Sequence, residues 1–352
     1  MDAGARRGSA RDSRLGLASL NVLVVNAGST SLKLRLVAPD DDTVELERLE
    51  DAAGRAGVVA HRIVHGGSRF REPALIDAGV RKQIEELVEL APLHNAPAWL
   101  ALHEAEKVFP GVPHVAVFDT AFHATIPAEA YVYAVPAAWD VRRFGFHGLS
   151  VQWSSEQVRV ARLVVCHLGG GCSVTAVRDG RSVDTTMGFT PLEGVPMATR
   201  SGSVDPGVLL HVLRQGLDVD ALDAALNERS GLTALAGTGD MRDVEHRRDD
   251  EATLALSVFT YRVAAAVAAM ATACGGLDAI VFTAGIGEGS ARVRRLVCRR
   301  LAFLGVELDA ARNESCEPDC DIDAAGSSVR VSVVRAREEL IAARVARELL
   351  TA

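Results

Sequence analysis

The sequence lacks an excess of positive charge. Its 352 residues carry a net charge of −8, which argues against a nucleic-acid-binding face. It has six cysteines, Cys166, Cys172, Cys274, Cys298, Cys316 and Cys320, too few to form a disulfide framework in a chain this long. Cys166 and Cys274 sit in apolar runs and read as small core residues. Cys316 and Cys320, in CEPDC, stay open as a metal pair or a redox pair, although no His or further Cys lies close by. No run approaches a membrane span, and the apolar stretch Val258–Ala273 contains Arg262 and reads as a buried helix. Residues 1–20 are rich in Arg, Ala, Ser and Gly and lack the apolar core of a secretion signal. They are expected to be a disordered tail or a start-site extension, and the expected location is the cytoplasm. There is no Walker A sequence, and Gly285-Ile286-Gly287-Glu288-Gly289 lacks the spacing of the dinucleotide fingerprint, so P-loop and Rossmann readings are weak.

What is present fits a globular α/β protein of roughly two domains, with 48% hydrophobic and 24% charged residues. Asn21–Val25 is a β-branched apolar run, residues 26–31 form a polar turn, and Leu32–Val37 alternates with period two. This reads as strand, turn, strand. The pattern recurs at Arg162–His167, Gly169–Gly171 and Cys172–Val177, about 140 residues on. Asp179-Gly180 then signals a hairpin into Arg181–Asp184. A unit used twice predicts two domains on one plan. Ala279–Thr283 runs into Gly285–Gly289 and a helix over Ser290–Leu304, His114–Phe118 is a strand ending at Asp119, and Glu338–Leu350 is an amphipathic helix. Alternating strands and helices predict mixed sheets, with a domain break near Trp139–Arg143.

Three glycine-rich turns follow strands, around Gly28, at Gly169–Gly171 and at Gly285–Gly289. Any one could be an ordinary tight turn. Three in one chain point to a nucleotide cleft between domains, because glycine lets backbone approach phosphate. Around them stand Arg62, His65, Gly66, Gly67, Asp119, His147 and Arg200. Singly, each has a structural alternative: a surface charge for Arg62, a helix cap for Asp119, a core histidine for His147, an ion pair for Arg200. Together they supply what phosphoryl transfer needs, an aligned acceptor and cations for the equatorial oxygens.

At these residues the sequence resembles the acetokinase family, the acetate kinases of the sugar-kinase and actin superfamily. The matching stretches are VLVVNAGSTSLKL, AHRIVHGG, LAPLHNAPA, VAVFDTAFHATIP, RRFGFHG, VVCHLGGGCS, VDTTMGFTPLEGVPMATRSG and FTAGIGEGSARVR, in family order along nearly the whole chain. The resemblance implies an α/β fold of two ribonuclease-H-like (actin-like ATPase) domains with mixed sheets and a cleft between them. It places residues 1–20 as a tail, 21–140 with 338–352 as the first domain, and 141–337 as the nucleotide-binding domain. It implies reversible phosphoryl transfer from ATP to acetate by a homodimer, with no nucleic acid or membrane as partner.

By position, the resemblance implies that Asn26 and Glu338 hold magnesium, with manganese as a substitute. Ser29, Ser31 and Lys33 would sit near the phosphates, and Arg62 would bind the acetate carboxylate. Asp119 would orient or deprotonate the acceptor side; acetate is already ionised at neutral pH, which favours positioning. His147 and Arg200 would steady the transferring group. The nucleotide would be lined by His167, Leu168, Gly169, Gly170, Gly171, Asp240, Met241, Arg242, Gly285, Ile286, Gly287, Glu288 and Gly289, with Lys33 at its phosphates. A small apolar pocket of Val64, Leu93 and Pro191 would set substrate choice, with propionate as an alternative substrate. The sequence departs from the family at Gly170, where Asn is usual, and at Leu149-Ser150-Val151, which lacks the usual histidine. Ser203 replaces an acidic residue and Arg337 an asparagine, and the stretches 34–60 and 150–162 are shortened. These departures motivate a further alternative, a paralogue that binds nucleotide without turnover.

Overall fold

The computed structural model describes residues 20–28, 32–90 and 92–351. They fold as two compact units, one of residues up to Phe122 together with Arg337 onward, the other His123–Ala336.

The first unit is built on strands β1 (Val22–Ala27), β2 (Leu32–Val37), β3 (Thr43–Leu46), β4 (Val58–Ile63), β5 (Ala74–Leu75) and β6 (His114–Phe118). They form one sheet in the order β3-β2-β1-β4-β6-β5. The β1–β4 and β4–β6 pairs are parallel, and the β1–β2, β2–β3 and β5–β6 pairs are antiparallel. The second unit uses β7 (Arg162–Leu168), β8 (Cys172–Arg178), β9 (Arg181–Thr185), β10 (Ala279–Thr283), β11 (Cys320–Asp321) and β12 (Arg330–Val333). Their order is β11-β12-β10-β7-β8-β9, with β7–β10 and β10–β12 parallel and the other pairs antiparallel. Read from the meander edge, the two sheets have the same order and the same senses. The repeat seen in the sequence is therefore a repeat of topology.

The central strands are apolar on both faces because helices cover both. Helices Pro92–Val108 and Glu338–Thr351 pack on β1 and β4. In the second unit, Asp250–Cys274 packs on β7 and β8, and Gly148–Gln157 on β7 and β10. Contrary to the expectation that no run approaches a membrane span, helix Asp250–Cys274 is long and apolar enough to cross one. Here Ala255, Phe259, Val263 and Val267 are buried in the core while Arg262 is exposed, as the sequence suggested. The Asp179-Gly180 hairpin also forms, with φ of 51° and 76° at its two central residues, the pairing a tight two-residue turn requires.

Some expectations change. The units meet at Phe122–His123, well before Trp139–Arg143. Residues 123–143 are fastened within the second unit: His123 Nδ1 bonds Ser182 Oγ at 2.8 Å, and Arg143 Nη1 donates to the carbonyls of Thr185 and Thr186 at 2.9 and 3.0 Å. The segment after Ser150 still carries a ten-residue helix, Gly148–Gln157, pinned where Trp153 Nε1 donates to Arg335 O at 2.9 Å. The helix expected over Ser290–Leu304 runs Ala291–Arg300 and then tightens to a 3-10 turn. Cys316 and Cys320 are joined in a disulfide, and the other four cysteines are buried and free. Residues 1–19, which contain nearly all of the expected tail, lie outside the described residues.

A buried histidine pair sets an acid limit on stability. His61 Nε2 and His114 Nδ1 are 2.9 Å apart, and His61 Nδ1 has no partner. Burial, helped by the charge of His114, pushes His61 down to about 3, and burial alone holds His123 down to about 4. These groups fold neutral, whereas the unfolded chain protonates them below about pH 6.5. Stability is therefore lost as pH falls from about 6.5, by about 1.4 kcal/mol per pH unit for each histidine. Urea unfolding at pH 6.5, 5.8 and 5.0 should show this decline, and His61→Gln should flatten it.

Candidate active site

Parallel strands gather polar side chains at their carboxyl ends, where backbone groups are not consumed by the sheet. In the first unit, Asn26 lies next to the end of β1, Arg62 near the end of β4, and Asp119 follows β6. Asn26 and Arg62 are register partners, and Asp119 N donates to Ile63 O at 3.0 Å. The Arg62 fork grips Asp119 with Nε on Oδ1 at 2.9 Å and Nη2 on Oδ2 at 2.5 Å. Its Nη1 donates to Asn26 Oδ1 at 2.9 Å and lies 3.6 Å from Glu338 Oε2, at the start of the last helix. Burial disfavours the Arg62 cation, but Asp119 and Glu338 more than restore it, so it stays charged. Burial also pushes the Asp119 carboxyl up, with Arg62 pulling against it. Both Asp119 oxygens are taken by Arg62.

The neighbouring His65 is fully buried and structural. Its backbone exchanges hydrogen bonds with the Asn95 amide, and its Nδ1 accepts from Gly67 N at 2.9 Å. Gly66 N donates to Thr120 Oγ1, which packs the same turn. Lys33 lies on exposed backbone opposite Asn26 across β1–β2. Ser29 and Ser31 lie outside the described residues, as does the Leu93 side chain. Val64 and Pro191 belong to different units.

In the second unit the tips of two side chains converge on the turn after β7. His147 sits at the start of its helix in a left-handed conformation, φ 60°, that aims its ring inward. Its Nδ1 bonds Ser173 Oγ at 3.0 Å, and the ring stacks on His167 at 4.0 Å between centroids. His167 Nδ1 in turn bonds Ser150 Oγ at 2.8 Å. A Cβ at Gly171 would lie 3.2 Å from His147 Nε2 and 3.1 Å from Arg200 Nη2, so any side chain there would push the two tips back by a few tenths of an ångström. Arg200 Nη1 donates to Pro191 O at 2.7 Å. Among the described residues no carboxylate pairs with Arg200, and burial pushes it down. A half-buried cation satisfied only by a carbonyl is poised for an anion.

A cavity of about 490 Å³ opens from the same turn, lined by Gly169, Gly170, Gly239, Asp240, Met241, Arg242, Glu245, Gly285, Ile286, Gly289 and Ser290. Backbone forms much of its wall, since nothing lies within 4 Å of a Cβ built on Gly170, Gly285 or Gly289. Asp240 caps the helix Met241–His246 and is held down to about 2, first by hydrogen bonds from the Arg242 side chain. Ser290 Oγ donates to Glu245 Oε1 at 2.5 Å.

Eight of the residues expected at a nucleotide line this cavity. The others do not. Leu168 is fully buried in β7, and His167 faces Ser150 and His147. Gly171 faces Arg200, and Gly287 is packed on Phe282 and Cys166 backbone. Glu288 Oε1 accepts from Ala284 N and Ala336 N, at 3.0 and 2.9 Å. Lys33 is on the other unit. Residues 284–289 form a helix, not the expected glycine turn, because the Glu288 side chain caps its first N–H. Sequence reasoning missed Gly239, Glu245 and Ser290. Ser290 was findable, as an N-cap type directly before an apolar-periodic helix.

Residues 42–344 match the acetokinase family. The chain belongs to that family. It is 44% identical to the acetate kinase of Protochlamydia amoebophila over 305 residues, 83% of this chain and 77% of that one. With the acetate kinase of Carboxydothermus hydrogenoformans it shares 38% over 395 residues, covering 94% and 99% of the two chains. That alignment is longer than this whole chain, so that relative carries segments missing here. Among solved structures, a propionate kinase from Francisella tularensis is similar at TM-score 0.87 and 34% identity, covering 94% of this chain and 99% of that one.

The open space at Gly170 allows a direct test of the asparagine that the sequence resemblance led one to expect there. Gly170→Asn should fold normally and change stability by no more than about 0.5 kcal/mol in denaturant titrations; a larger loss would mean that the turn tolerates no side chain.

Proposed function

We propose that this acetokinase transfers the terminal phosphoryl group of ATP to acetate, reversibly, giving acetyl phosphate and ADP. One observation carries the reading: Arg200, lacking a carboxylate partner among the described residues, meets His147 at Gly171, and the preceding Gly169 and Gly170 wall a nucleoside-sized cavity. Anion-seeking groups therefore stand one residue from that wall.

In the reaction an acetate oxygen bonds to the γ-phosphorus while the bond to the ADP oxygen breaks. Acetate needs no base, since it is ionised at neutral pH. Asp119, with both oxygens on Arg62, is therefore read as a positioning residue that fixes the guanidinium for the carboxylate substrate. Arg200 and His147 would steady charge on the equatorial oxygens. The cavity would take the nucleotide, with Asp240, Arg242 and Glu245 as its polar groups.

Family membership implies a divalent cation, which Asn26 and Glu338 would hold. Asn26 Oδ1 and Glu338 Oε2 approach one nitrogen, Arg62 Nη1, at 2.9 and 3.6 Å. Among the described residues no group of three or more His, Cys, Asp or Glu could hold a metal. Two hard oxygens without a full cage suit magnesium, which keeps waters and substrate phosphates. When bound it would neutralise phosphate charge; manganese would substitute. A homodimer and a cytoplasmic location rest on family membership. The similarity to a propionate kinase favours short carboxylates as a class, since one methylene changes preference by about 1–3 kcal/mol.

Acyl phosphate formed from magnesium-ATP and acetate, trapped with hydroxylamine, tests the reading. Arg200→Ala should lower kcat by about 10²–10³-fold. Asp119→Asn should act through Arg62 and raise the acetate KM as well as lowering kcat. Folded parent protein that makes no acyl phosphate from any short carboxylate would sink the proposal and favour nucleotide binding without turnover.

A further inference from the structure

The CEPDC loop is not used by the transfer chemistry, yet it is tied to the wall of the cavity. Cys316 ends the helix Ala310–Ser315, and its disulfide partner Cys320 begins β11, on the sheet edge beside Val333. Within the loop, Asp319 adopts φ 81°; its N–H donates to Val333 O at 2.8 Å and its Oδ1 accepts from Arg335 N at 3.0 Å. The bridge thus clamps the end of the short helix to the sheet.

That short helix carries Asn313, which is 1% exposed. Asn313 accepts from Arg294 twice, through Oδ1 and its carbonyl, both at 2.8 Å. Buried Arg294 has no carboxylate partner among the described residues. It donates onward to Gly287 O at 3.0 Å and Glu288 O at 2.7 Å. Those carbonyls belong to helix Ala284–Gly289, whose Gly285, Ile286 and Gly289 line the large cavity. Disulfide, Asn313, Arg294 and cavity wall form one chain of contacts inside the second unit. The bridge is also reachable. Both cysteines are only half-buried between exposed Glu317 and Asp319, and a second cavity of about 190 Å³ is lined by Cys320. Accessible bridges are the ones that exchange with thiols, whereas the four other cysteines are buried.

We propose that Cys316 and Cys320 are a thiol–disulfide exchange site whose state sets how firmly Arg294 holds the cavity wall, and through it nucleotide affinity. The co-reactant is a dithiol. Its thiolate bonds to Cys320 Sγ and expels Cys316 as a thiolate, which takes a proton. Its second thiol then displaces Cys320 and closes the reagent's own disulfide. Two electrons and two protons pass to the loop. Opening removes the short-range constraint on residues 316–320, so the helix bearing Asn313 gains freedom and the Arg294 contacts loosen.

This rests on the nucleotide reading above, so the test includes one readout that does not. The oxidised protein and protein reduced with dithiothreitol are alkylated and mapped by mass spectrometry, and ADP binding is measured by calorimetry in both states. Reduction should expose Cys316 and Cys320 alone to the label and raise the ADP Kd three- to tenfold, leaving the acetate KM unchanged. Reoxidation should reverse the shift. The Cys316→Ser, Cys320→Ser double variant should bind at the weaker value in either buffer, with a melting curve confirming that it folds. No gain of label at the two positions, or equal Kd in the two states, overturns the inference while leaving turnover as evidence for the kinase. ADP binding in neither state overturns both.

Discussion

The Arg62 guanidinium is the interaction on which the polar cluster of the first unit depends. A single planar fork on β4 collects groups from the two parallel strands that flank it, β1 and β6, and from the start of the helix Glu338–Thr351. Removing either side leaves a charge in a site where burial penalises it, which is why the carboxylate and the cation are better viewed as one unit than as two residues. The last helix is held to the sheet by a comparable device, Arg347, which donates to the carbonyls of Leu20, Val37 and Ala38. The position of Glu338 therefore follows from packing far from the site.

The second unit uses the opposite electrostatic arrangement. Arg200 and Arg294 are both removed from water without carboxylate partners among the described residues and are satisfied by carbonyl or amide oxygens. One is left able to meet an incoming anion; the other is saturated and serves as a strut. The distinction is one of hydrogen-bond count and exposure, not of charge: Arg294 is fully buried and Arg200 only half-buried, while burial lowers both. Glycines complete the arrangement by letting side-chain tips approach bare backbone, as the tips of Arg200 and His147 do at Gly171.

Much of the fold was legible because its strands are short, apolar and punctuated. His114–Phe118 and Ala279–Thr283 form as read, and the duplicated meander reappears in both sheets. Arg62, Asp119, His147 and Arg200 could be singled out in the sequence, because charged or polar residues at strand ends and glycine turns stand out against apolar runs. The misreadings share a cause. Glycine content suggested a turn at 285–289, but a side chain four residues on caps the segment into a helix. Residues 123–140 were assigned to the first domain from sequence, yet the hydrogen bonds of His123 and Arg143 run to residues some 40–60 positions later.

The amino-acid sequence by itself determined the class of fold, the repeat and the family, since these follow from local periodicity and contiguous motifs. Tertiary structure alone decided which glycine-turn residues face a cavity and which face the core. It also decided that Asp119 spends both oxygens on Arg62 and that Cys316 and Cys320 are close enough to bond. Each of these depends on the direction of a side chain relative to groups distant in the chain, and local residue preferences carry no information about that direction.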